Sequence, residues 1–394
     1  MRVALVTKIF PSSIQQWGGH SAYETIRLLA QRCDLQAFYP YLVFPQLLGS
    51  FDRTPRPDPA WQPEGVKVSY IPHAGIPGLT RHLNGSIIAR TVLPYVRRFN
   101  PDIVLSYFIY PYGYASVRVA QALGVPSVLT AIGSDIHSIP DALTRSLTRS
   151  ALRNTDFVST TSQDLCDGAR LLGADPAHSR PKLNGCDTAV FYPRDRRQAR
   201  ESLGLDPDAP SIVYVGRLDV RKGLVELVEA VARLGPEHPD LRCYIVGDGP
   251  AKPTLLAAID RLNAGQWITF APAVLTEQVA VWMAAADLVT LPSYNEGCPN
   301  VVVEALAAGR PVVATNVGGI PELMDDTCGR MVSPRDVSAL TTALKEVLHQ
   351  TWDASTISAR HGRSWSTVAD ELYQILEEAI QRRAAGKTLS GTSA

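Results

Sequence analysis

Two carboxylates and two cations stand at spacings that suit the binding of an elongated anionic ligand. Glu296 and Glu304 lie eight positions apart, one before and one inside a short helical pattern. Arg217 and Lys222 lie five positions apart, directly after the apolar run IVYV. Arginine can contact two phosphate oxygens at once and lysine adds a mobile point charge, so the set predicts a diphosphate site. The two acids would contact different parts of the ligand, and they do not form an acid–base pair.

The stretch 299–309 predicts a helix whose first turn faces that phosphate. Pro299 suits the first helical position, where a missing N–H is harmless, and Gly309 suits a left-handed cap at the other end. Gly297 precedes the helix and would let a ligand approach the backbone. The helix N-terminus offers unpaired amides and a positive dipole end to an anion. The alternative interpretation is a capped core helix that carries two acids by coincidence.

Glycines also mark the loops after other predicted strands. Gly216 precedes Arg217, and Gly247 begins the sequence GDGP, which would shape the nucleotide side of the site. Gly18 and Gly19 precede a helix near the N-terminus. One interpretation is that they let a donor phosphate or an acceptor approach the backbone, and the other is that they only mark a turn. Neither a dinucleotide fingerprint nor a Walker loop is complete, so the pattern indicates neither an NAD enzyme nor an NTPase.

The elements that would position these residues form a repeated strand–helix pattern in both halves of the chain. Such alternation predicts a doubly wound α/β fold, and 394 residues are enough for two domains. A stretch rich in Pro, Arg and Asp, from Asn184 to Pro210, predicts the linker. The predicted boundaries are 1–186 for the N-terminal domain, 187–363 for the C-terminal domain, 364–385 for a final helix and 386–394 for a disordered tail.

Composition excludes several classes of function. Acidic and basic residues balance at 38 each, which argues against a nucleic-acid partner. The six cysteines have no metal-ligand spacing and predict reduced thiols of a cytoplasmic protein. The start MRVALVT predicts a buried strand and not a signal peptide. No apolar run approaches the ~18 residues of a membrane span, so a lipid substrate would be reached from outside the bilayer.

Two features favour peripheral contact with a membrane. Residues 38–51, FYPYLVFPQLLGSF, predict an apolar loop interrupted by prolines. Arg145, Arg149 and Arg153 recur every four residues along a predicted helix. The alternatives are an acceptor-side loop packed on its domain and a solvated helical face.

Taken together, the motifs resemble the retaining GT-B glycosyltransferases, and specifically the family 4 type of bacterial polysaccharide and glycolipid transferases. The matching motifs are N-G-x-D-x3-F-x-P at 184–193, G-R-L-x3-K-G at 216–223, G-D-G-P at 247–250 and E-x7-E at 296–304. The resemblance is strongest over 212–334 and weakest over 8–101. It implies two Rossmann-like domains facing a cleft, with the donor on the second, the acceptor on the first and the final helix crossing back to the first.

The resemblance also implies roles for individual residues. Glu296 would bind sugar hydroxyls and Glu304 the ribose, while His137 would touch the sugar or an acceptor hydroxyl. Ile132 stands where the family often has Arg or His, and Asp135 either caps the following turn or contributes to the site. The implied catalytic residues are Arg217, Lys222, Glu296 and His137. The implied donor-binding residues are Gly18, Gly19, Gly216, Arg217, Lys222, Gly247, Glu296, Gly297, Cys298, Asn300, Val301 and Glu304.

The implied activity is transfer of a sugar from a UDP- or GDP-linked donor to a hydroxyl of a carbohydrate or lipid-linked saccharide. Anomeric configuration would be retained, without a metal or cofactor, in cell-surface polysaccharide or glycolipid biosynthesis. The alternatives are a GT-B sugar-nucleotide epimerase, a retaining phosphorylase with a pyridoxal phosphate lysine, and a catalytically silent sugar-nucleotide-binding subunit. The intact set of Arg217, Lys222, Glu296 and Glu304 argues against silence.

Overall fold

The computed structural model describes residues 1–16, 18–43, 55–76 and 80–391, with 386–391 described by backbone alone. The chain divides into two compact units. Unit 1 comprises Met1–Leu183 together with the residues from Trp365 onward, and unit 2 comprises Asn184–Ser364. The divisions fall within three residues of the boundaries expected from the sequence, and the predicted linker begins unit 2.

Unit 1 is built on a seven-stranded parallel sheet. Its strands are β1 (Arg2–Val6), β2 (Asp34–Val43), β3 (Lys67–Ala74), β4 (Ile103–Tyr107), β5 (Ser127–Ala131), β6 (Phe157–Thr160) and β7 (Ser179–Pro181). The strand order is β3-β2-β1-β4-β5-β6-β7, so the order reverses between β1 and β4. All five residues of β4 and of β5 are buried, because helices cover both faces of a parallel sheet and the strands become apolar throughout.

In the described part of unit 1, six α-helices precede the linker. They are α1 (His20–Leu29), α2 (Asn84–Phe99), α3 (Tyr114–Leu123), α4 (Ser134–His137), α5 (Ala142–Asn154) and α6 (Gln163–Leu171). Ser162 caps α6, because its Oγ accepts a hydrogen bond from the amide of Leu165 at 3.2 Å. The helix that carries the predicted arginine row is α5.

The expectation of an apolar loop from residue 38 is wrong over its first part. Residues 38–43 continue β2 and pair with β3, with Pro40 opposite Ile71. Pro40 is tolerated because β1 pairs with β2 only as far as Phe38, so beyond that residue β2 has a strand on one side only. The remainder of the predicted loop, 44–51, lies outside the described residues.

Unit 2 has a six-stranded parallel sheet of order β10-β9-β8-β11-β12-β13. Its strands are β8 (Ser211–Val215), β9 (Arg242–Val246), β10 (Ile268–Ala271), β11 (Leu288–Leu291), β12 (Val312–Thr315) and β13 (Gly329–Val332). Its helices are α7 (Arg196–Ser202), α8 (Leu224–Leu234), α9 (Lys252–Arg261), α10 (Thr276–Ala285), α11 (Asn300–Ala307), α12 (Ile320–Leu323), α13 (Val337–His349) and α14 (Ala354–His361). Both units therefore have the doubly wound α/β architecture that the sequence predicts.

Helix α11 corresponds to the helix predicted over 299–309, with one correction at its start. Pro299 is the N-cap with extended dihedrals, φ −74° and ψ 118°, and the first helical residue is Asn300. The fixed φ of proline suits either position, so the sequence left this one-residue shift undetermined. Gly309 adopts the predicted left-handed conformation, with φ 71°.

The last helix, α15 (Trp365–Gly391), belongs to unit 1. Its buried residues Leu372, Ile375 and Leu376 lie in one apolar cluster with Val3 and Leu5 of β1. The helical backbone continues to Gly391, past residue 386, where the sequence predicts a disordered tail to begin. This stretch contains the good helix formers Lys387 and Leu389 but also two glycines, Gly386 and Gly391, so helix propensity alone does not account for its helical backbone.

Candidate functional site

The sheet of unit 2 defines where a ligand can bind. Strand order reverses between β8 and β11, so the chain leaves these neighbouring strands toward opposite sides. A crevice forms at the carboxyl ends of such a strand pair, and open α/β sheets bind ligands there. The loop after β8 carries Arg217 and Lys222, and the loop after β11 carries Glu296 and Gly297. The topology therefore brings together the two motifs that the sequence singles out.

The two loops are joined by side-chain and backbone contacts. Lys222 Nζ lies 2.6 Å from Oε1 of Glu296, and the two side chains are 29% and 11% exposed. The amide of Tyr294 donates a hydrogen bond to the carbonyl of Arg221 at 2.8 Å. The predicted phosphate-binding lysine and sugar-binding glutamate are thus paired with each other.

Two glycines permit this close packing of loops. Gly223 has φ 63°, and a Cβ there would overlap the carbonyl oxygen of Pro292. Gly318 has φ 55°, and a Cβ there would overlap the carbonyl oxygen of Glu296. Neither position can hold another residue without moving the loop that bears Glu296.

A contact of the half-buried Tyr294 also holds the loop after β11. The Tyr294 hydroxyl donates to Oε1 of Glu226 on α8 at 2.5 Å, and the Arg335 guanidinium lies 4.6 Å from the tyrosine ring centroid. Burial, and secondarily the Glu226 carboxylate, raises the pKa of Tyr294 to about 12. These contacts orient the residues immediately before Glu296.

Arg217 and Arg221 differ in their surroundings although both are exposed. Arg221 Nε donates to Oδ1 of Asp219 at 3.0 Å, and the same carboxylate accepts from the Arg221 amide at 3.0 Å. These bonds lower the pKa of Asp219 to about 2. Within the described part of the chain, the Arg217 side chain has no hydrogen bond or ion pair. Of these two arginines, Arg217 is therefore the one whose guanidinium is available to a ligand.

A cavity of about 300 Å³ lies beside Arg217 at the carboxyl ends of β8 and β9. Its lining includes Gly216, Arg217, Gly247, Asp248, Ala273 and Val274. The structure thus groups two of the predicted glycines with Arg217, and adds a loop after β10 that the sequence did not indicate. This volume is at the lower end of the range for small-molecule sites.

Glu304 is half-buried on α11 and carries a perturbed carboxyl group. Burial raises the pKa of Glu304 to about 7. Among the described residues it has no hydrogen bond or ion pair that would stabilise the charged form. Burial, and secondarily the charge of the nearby Glu304, raises the pKa of the Cys186 thiol to about 12. A desolvated carboxylate without a partner is suited to accept hydrogen bonds from ligand hydroxyls.

Asn184 holds the residues at the start of α11 in place. The sequence did not predict this role of Asn184. Its side-chain amide donates to the carbonyl of Cys298 and to Oδ1 of Asn300, each at 2.9 Å. Cys298 is buried, whereas Asn300 and Val301 are half-buried at the first positions of the helix. From the sequence, this stretch predicts only the linker and does not indicate the contact with Cys298.

In unit 1, Gly18 and Gly19 lie in the loop after β1, and Gly19 is the N-cap of α1 with φ 66°. His137 ends α4, and its Nε2 lies 2.8 Å from Oδ2 of Asp164. Asp135 is buried and accepts hydrogen bonds from the amides of Ile109, Ile132 and Gly133 at 2.9–3.1 Å. Asp135 therefore stabilises the loop and does not cap the turn that follows. The ligand roles predicted for the glycines and His137 stay predictions.

Asp325, Cys328 and His361 bring three potential metal-ligand atoms within 4.8 Å of one another, in the described part of the chain. These groups already have partners, since Cys328 Sγ donates to the Asp325 carbonyl at 3.3 Å and His361 Nε2 lies 3.1 Å from Thr327 Oγ1. They lie before β13 and on α14, and not on the loops after β8 and β11.

Across the described helices, none is both long and apolar enough to cross a membrane. Arg145, Arg149 and Arg153 are all exposed on α5, as predicted.

Two Rossmann-like units, one with a cation-bearing loop at its switch point, define a two-domain protein of doubly wound α/β architecture. The sequence profile described as "Glycosyl transferase 4-like domain" matches residues 21–185, and that described as "Glycosyl transferases group 1" matches residues 209–350.

Curated relatives extend this result. The chain is 33% identical over 286 residues to the putative teichuronic acid biosynthesis glycosyltransferase TuaC of Bacillus subtilis, covering 71% of this chain and 67% of the relative. It is 36% identical over 227 residues to a D-inositol 3-phosphate glycosyltransferase of Mycobacterium marinum, covering 54% of this chain. The match spans about half of that enzyme's length, 48%.

A solved structure shows the same fold. HepE of Anabaena in complex with UDP superimposes with a TM-score of 0.75 at 18% identity, over 96% of this chain and 100% of that one. The chain belongs to the glycosyltransferases of the GT-B fold, which confirms the fold class predicted from the sequence.

Proposed function

We propose that the protein transfers a sugar from a UDP- or GDP-linked donor to an acceptor hydroxyl with retention of anomeric configuration, as in family 4. The main support is the pairing of Lys222 with Glu296 at the switch point of unit 2, with Arg217 on the same loop as Lys222. The unpartnered carboxylate of Glu304 lies on α11, the helix that follows the Glu296 loop. HepE binds UDP and has the same fold, which agrees with a nucleotide-linked donor.

The proposed donor contacts follow from the chemistry of each residue. Arg217 and Lys222 bind the diphosphate, whose negative charge increases as the glycosidic bond breaks, so they stabilise the transition state more than the bound donor. Glu304 accepts hydrogen bonds from the ribose and Glu296 from the sugar hydroxyls. The departing phosphate oxygen takes the proton of the acceptor hydroxyl. Because two cations neutralise the diphosphate, the reaction does not require a divalent metal or another cofactor.

The acceptor is proposed to be a carbohydrate or lipid-linked saccharide that contacts unit 1 near the loop after β1 and near His137. The relative in B. subtilis is named for teichuronic acid biosynthesis, which agrees with a role in cell-surface polysaccharide or glycolipid synthesis.

Thermal shift with UDP, GDP and ADP tests the donor site. A ligand that binds only the folded chain stabilises it by about RT ln(1 + [L]/Kd). We expect UDP or GDP to raise Tm equally with and without EDTA. Loss of the shift in EDTA would exclude metal independence, and no shift from any nucleotide would exclude the donor site.

Product analysis separates the proposed transfer from its alternatives. Slow release of nucleoside diphosphate from a nucleotide sugar is expected of a transferase, and NMR of the product's anomeric proton reports retention or inversion. Exchange at C2 of the sugar would instead identify an epimerase, and binding without turnover a silent subunit.

Peripheral membrane contact on the cytoplasmic side is proposed through the exposed arginines of α5. Charge reversal of Arg145, Arg149 and Arg153 should abolish sedimentation with phosphatidylglycerol vesicles. Reversal of Arg97 and Arg98, which are exposed on α2, is the matched control. Equal sedimentation of both variants would contradict the proposal.

A further inference from the structure

Phe108, which directly follows β4, has a backbone conformation that bulky residues rarely adopt. Its dihedral angles are φ 79° and ψ 119°. A Cβ disfavours positive φ, and for a bulky side chain this conformation is a genuine outlier. Such conformations persist only where surrounding contacts hold them, and they cluster at functional sites.

Backbone hydrogen bonds hold Phe108 on both sides. Its amide donates to the carbonyl of Thr130 at 2.9 Å, and its carbonyl accepts from the amide of Gly113 at 3.0 Å. The next amide, that of Ile109, donates to the buried carboxylate of Asp135 at 3.1 Å. Asp135 also binds the amides of Ile132 and Gly133, so one carboxylate fixes Phe108 relative to the loop that leads to His137.

The position of Phe108 is that of a ligand-binding residue in an α/β sheet. The strand order of unit 1 reverses between β1 and β4, and Phe108 is the first residue after β4. The loop after β1, with Gly18 and Gly19, leaves the other side of the same switch point. The Phe108 side chain is partly exposed, and the described core clusters of unit 1 do not include it.

We propose that the ring of Phe108 is a stacking platform for the acceptor, which contacts the C–H face of a carbohydrate ring. This inference rests on the proposed function for the assignment of the acceptor to unit 1. An aromatic face offers apolar area without competing hydrogen bonds, so the hydroxyls at the rim of a sugar ring stay free for polar groups. Tyr112 supports the platform, with its ring centroid 6.5 Å from that of Phe108.

A residue kept only for packing would respond differently to substitution. Truncating a packed core phenylalanine lowers stability, whereas glycine at a positive φ relieves backbone strain. Phe108→Gly should therefore keep or raise Tm while it removes the platform. Asn100→Gly is the matched control, because Asn100 also has positive φ, 52°, in unit 1 and ends α2 away from the switch point.

Saturation-transfer NMR on the full chain tests the platform with methyl α-glucoside, methyl α-mannoside, methyl β-galactoside and methyl β-N-acetylglucosaminide as probes. We expect saturation of the ring C–H protons of at least one glycoside in the wild type and in Phe108→Tyr. Phe108→Leu and Phe108→Gly should reduce it by about fivefold, the scale of one aromatic contact. Asn100→Gly should leave it unchanged.

UDP titration of the same variants separates the platform from the donor site. UDP affinity is expected to be unchanged in every variant. No saturation of any glycoside in the wild type, undiminished saturation in Phe108→Leu, or a lowered Tm in Phe108→Gly would overturn the proposal. A wild-type chain that binds no UDP would refute the donor assignment, while saturation that depends on Phe108 would still support the platform.

Discussion

Lys222 Nζ and Glu296 Oε1 lie 2.6 Å apart and link the loops that follow β8 and β11. The glutamate carboxylate therefore balances the positive charge of the lysine. An incoming diphosphate must share or displace this partner, so the pair couples the geometry of the phosphate site to that of the sugar site.

The first prediction concerns the energy of this pair. Lys222→Ala leaves the Glu296 carboxylate partly buried without its cation, which should destabilise the fold by about 1–3 kcal/mol. The double variant Lys222→Ala/Glu296→Ala should lose less than the sum of the two single variants, because contacting residues are not additive. Urea denaturation of all four proteins measures the coupling. Strict additivity would show that the pair contributes nothing to stability.

The second prediction distinguishes two exposed arginines of one loop. Arg217→Ala should reduce turnover by ~100-fold or more, the scale of removing one donor that stabilises transition-state charge. Arg221→Ala should stay near wild-type turnover, since Arg221 is engaged by Asp219. Initial rates with a nucleotide-sugar donor measure both. Equal loss in the two variants would contradict the assignment of Arg217 to the diphosphate.

The third prediction concerns the pH dependence of stability. The folded pKa of Glu304, about 7, lies above the ordinary value of 4.5. Between these values the folded state holds a proton that the unfolded state has lost. The contribution of the Glu304 carboxyl to the free energy of unfolding is therefore most favourable below about pH 4.5 and is lost as pH rises through 7. Glu304→Gln should gain stability relative to the wild type across this window and level off above it. A difference independent of pH, in urea denaturation, would contradict the raised pKa.

The fourth prediction links nucleotide binding to proton release. Hydrogen bonds from ribose hydroxyls favour the charged form of Glu304, so binding should lower its pKa and release protons near pH 6.5. Calorimetry of UDP binding in buffers of different ionisation enthalpy measures this release, and Glu304→Gln should abolish it. Release that persists in Glu304→Gln would assign the proton to another group.

The fifth prediction concerns the separate roles of Glu296 and Glu304 in binding the donor. Glu304→Ala should weaken UDP and the full donor alike, by about 1.5–3 kcal/mol, the value of a charged hydrogen bond. Glu296→Ala should not weaken bare UDP, because it removes the carboxylate that competes with the diphosphate for Lys222. It should instead lower turnover, because contacts to the sugar matter most in the transition state. Titration calorimetry and initial rates test both variants. Equal loss of UDP affinity in both would leave the acids without separate roles.

Local patterns explain why much of the site could be predicted. The spacing of Arg217 and Lys222 after one strand, and of Glu296 before a helix, depends on short segments whose structure follows from sequence. The doubly wound topology then brings the two loops together. Glu304 was recognised by position, but its raised pKa depends on burial that only the packed fold provides.

Long-range contacts account for what the sequence did not indicate. Asn184 contacts Cys298, 114 positions away, and no local pattern encodes that bond. Strand β13 begins with Gly329, a residue that disfavours strands. The segment adopts a strand because it pairs with β12, which no local pattern of its own residues indicates. The positive φ of Phe108 contradicts the preference of its side chain, and tertiary hydrogen bonds impose it.

The return of α15 to unit 1 sets an order for biosynthesis. Unit 2, Asn184–Ser364, is continuous and can fold on the ribosome once its last strand and helices emerge. The folding of unit 1 is completed only when α15 is available, because Leu372, Ile375 and Leu376 complete the cluster around Val3 and Leu5. Until α15 has been translated, that apolar face stays exposed and can be bound by chaperones, so a premature stop before residue 365 would yield a substrate for proteolysis.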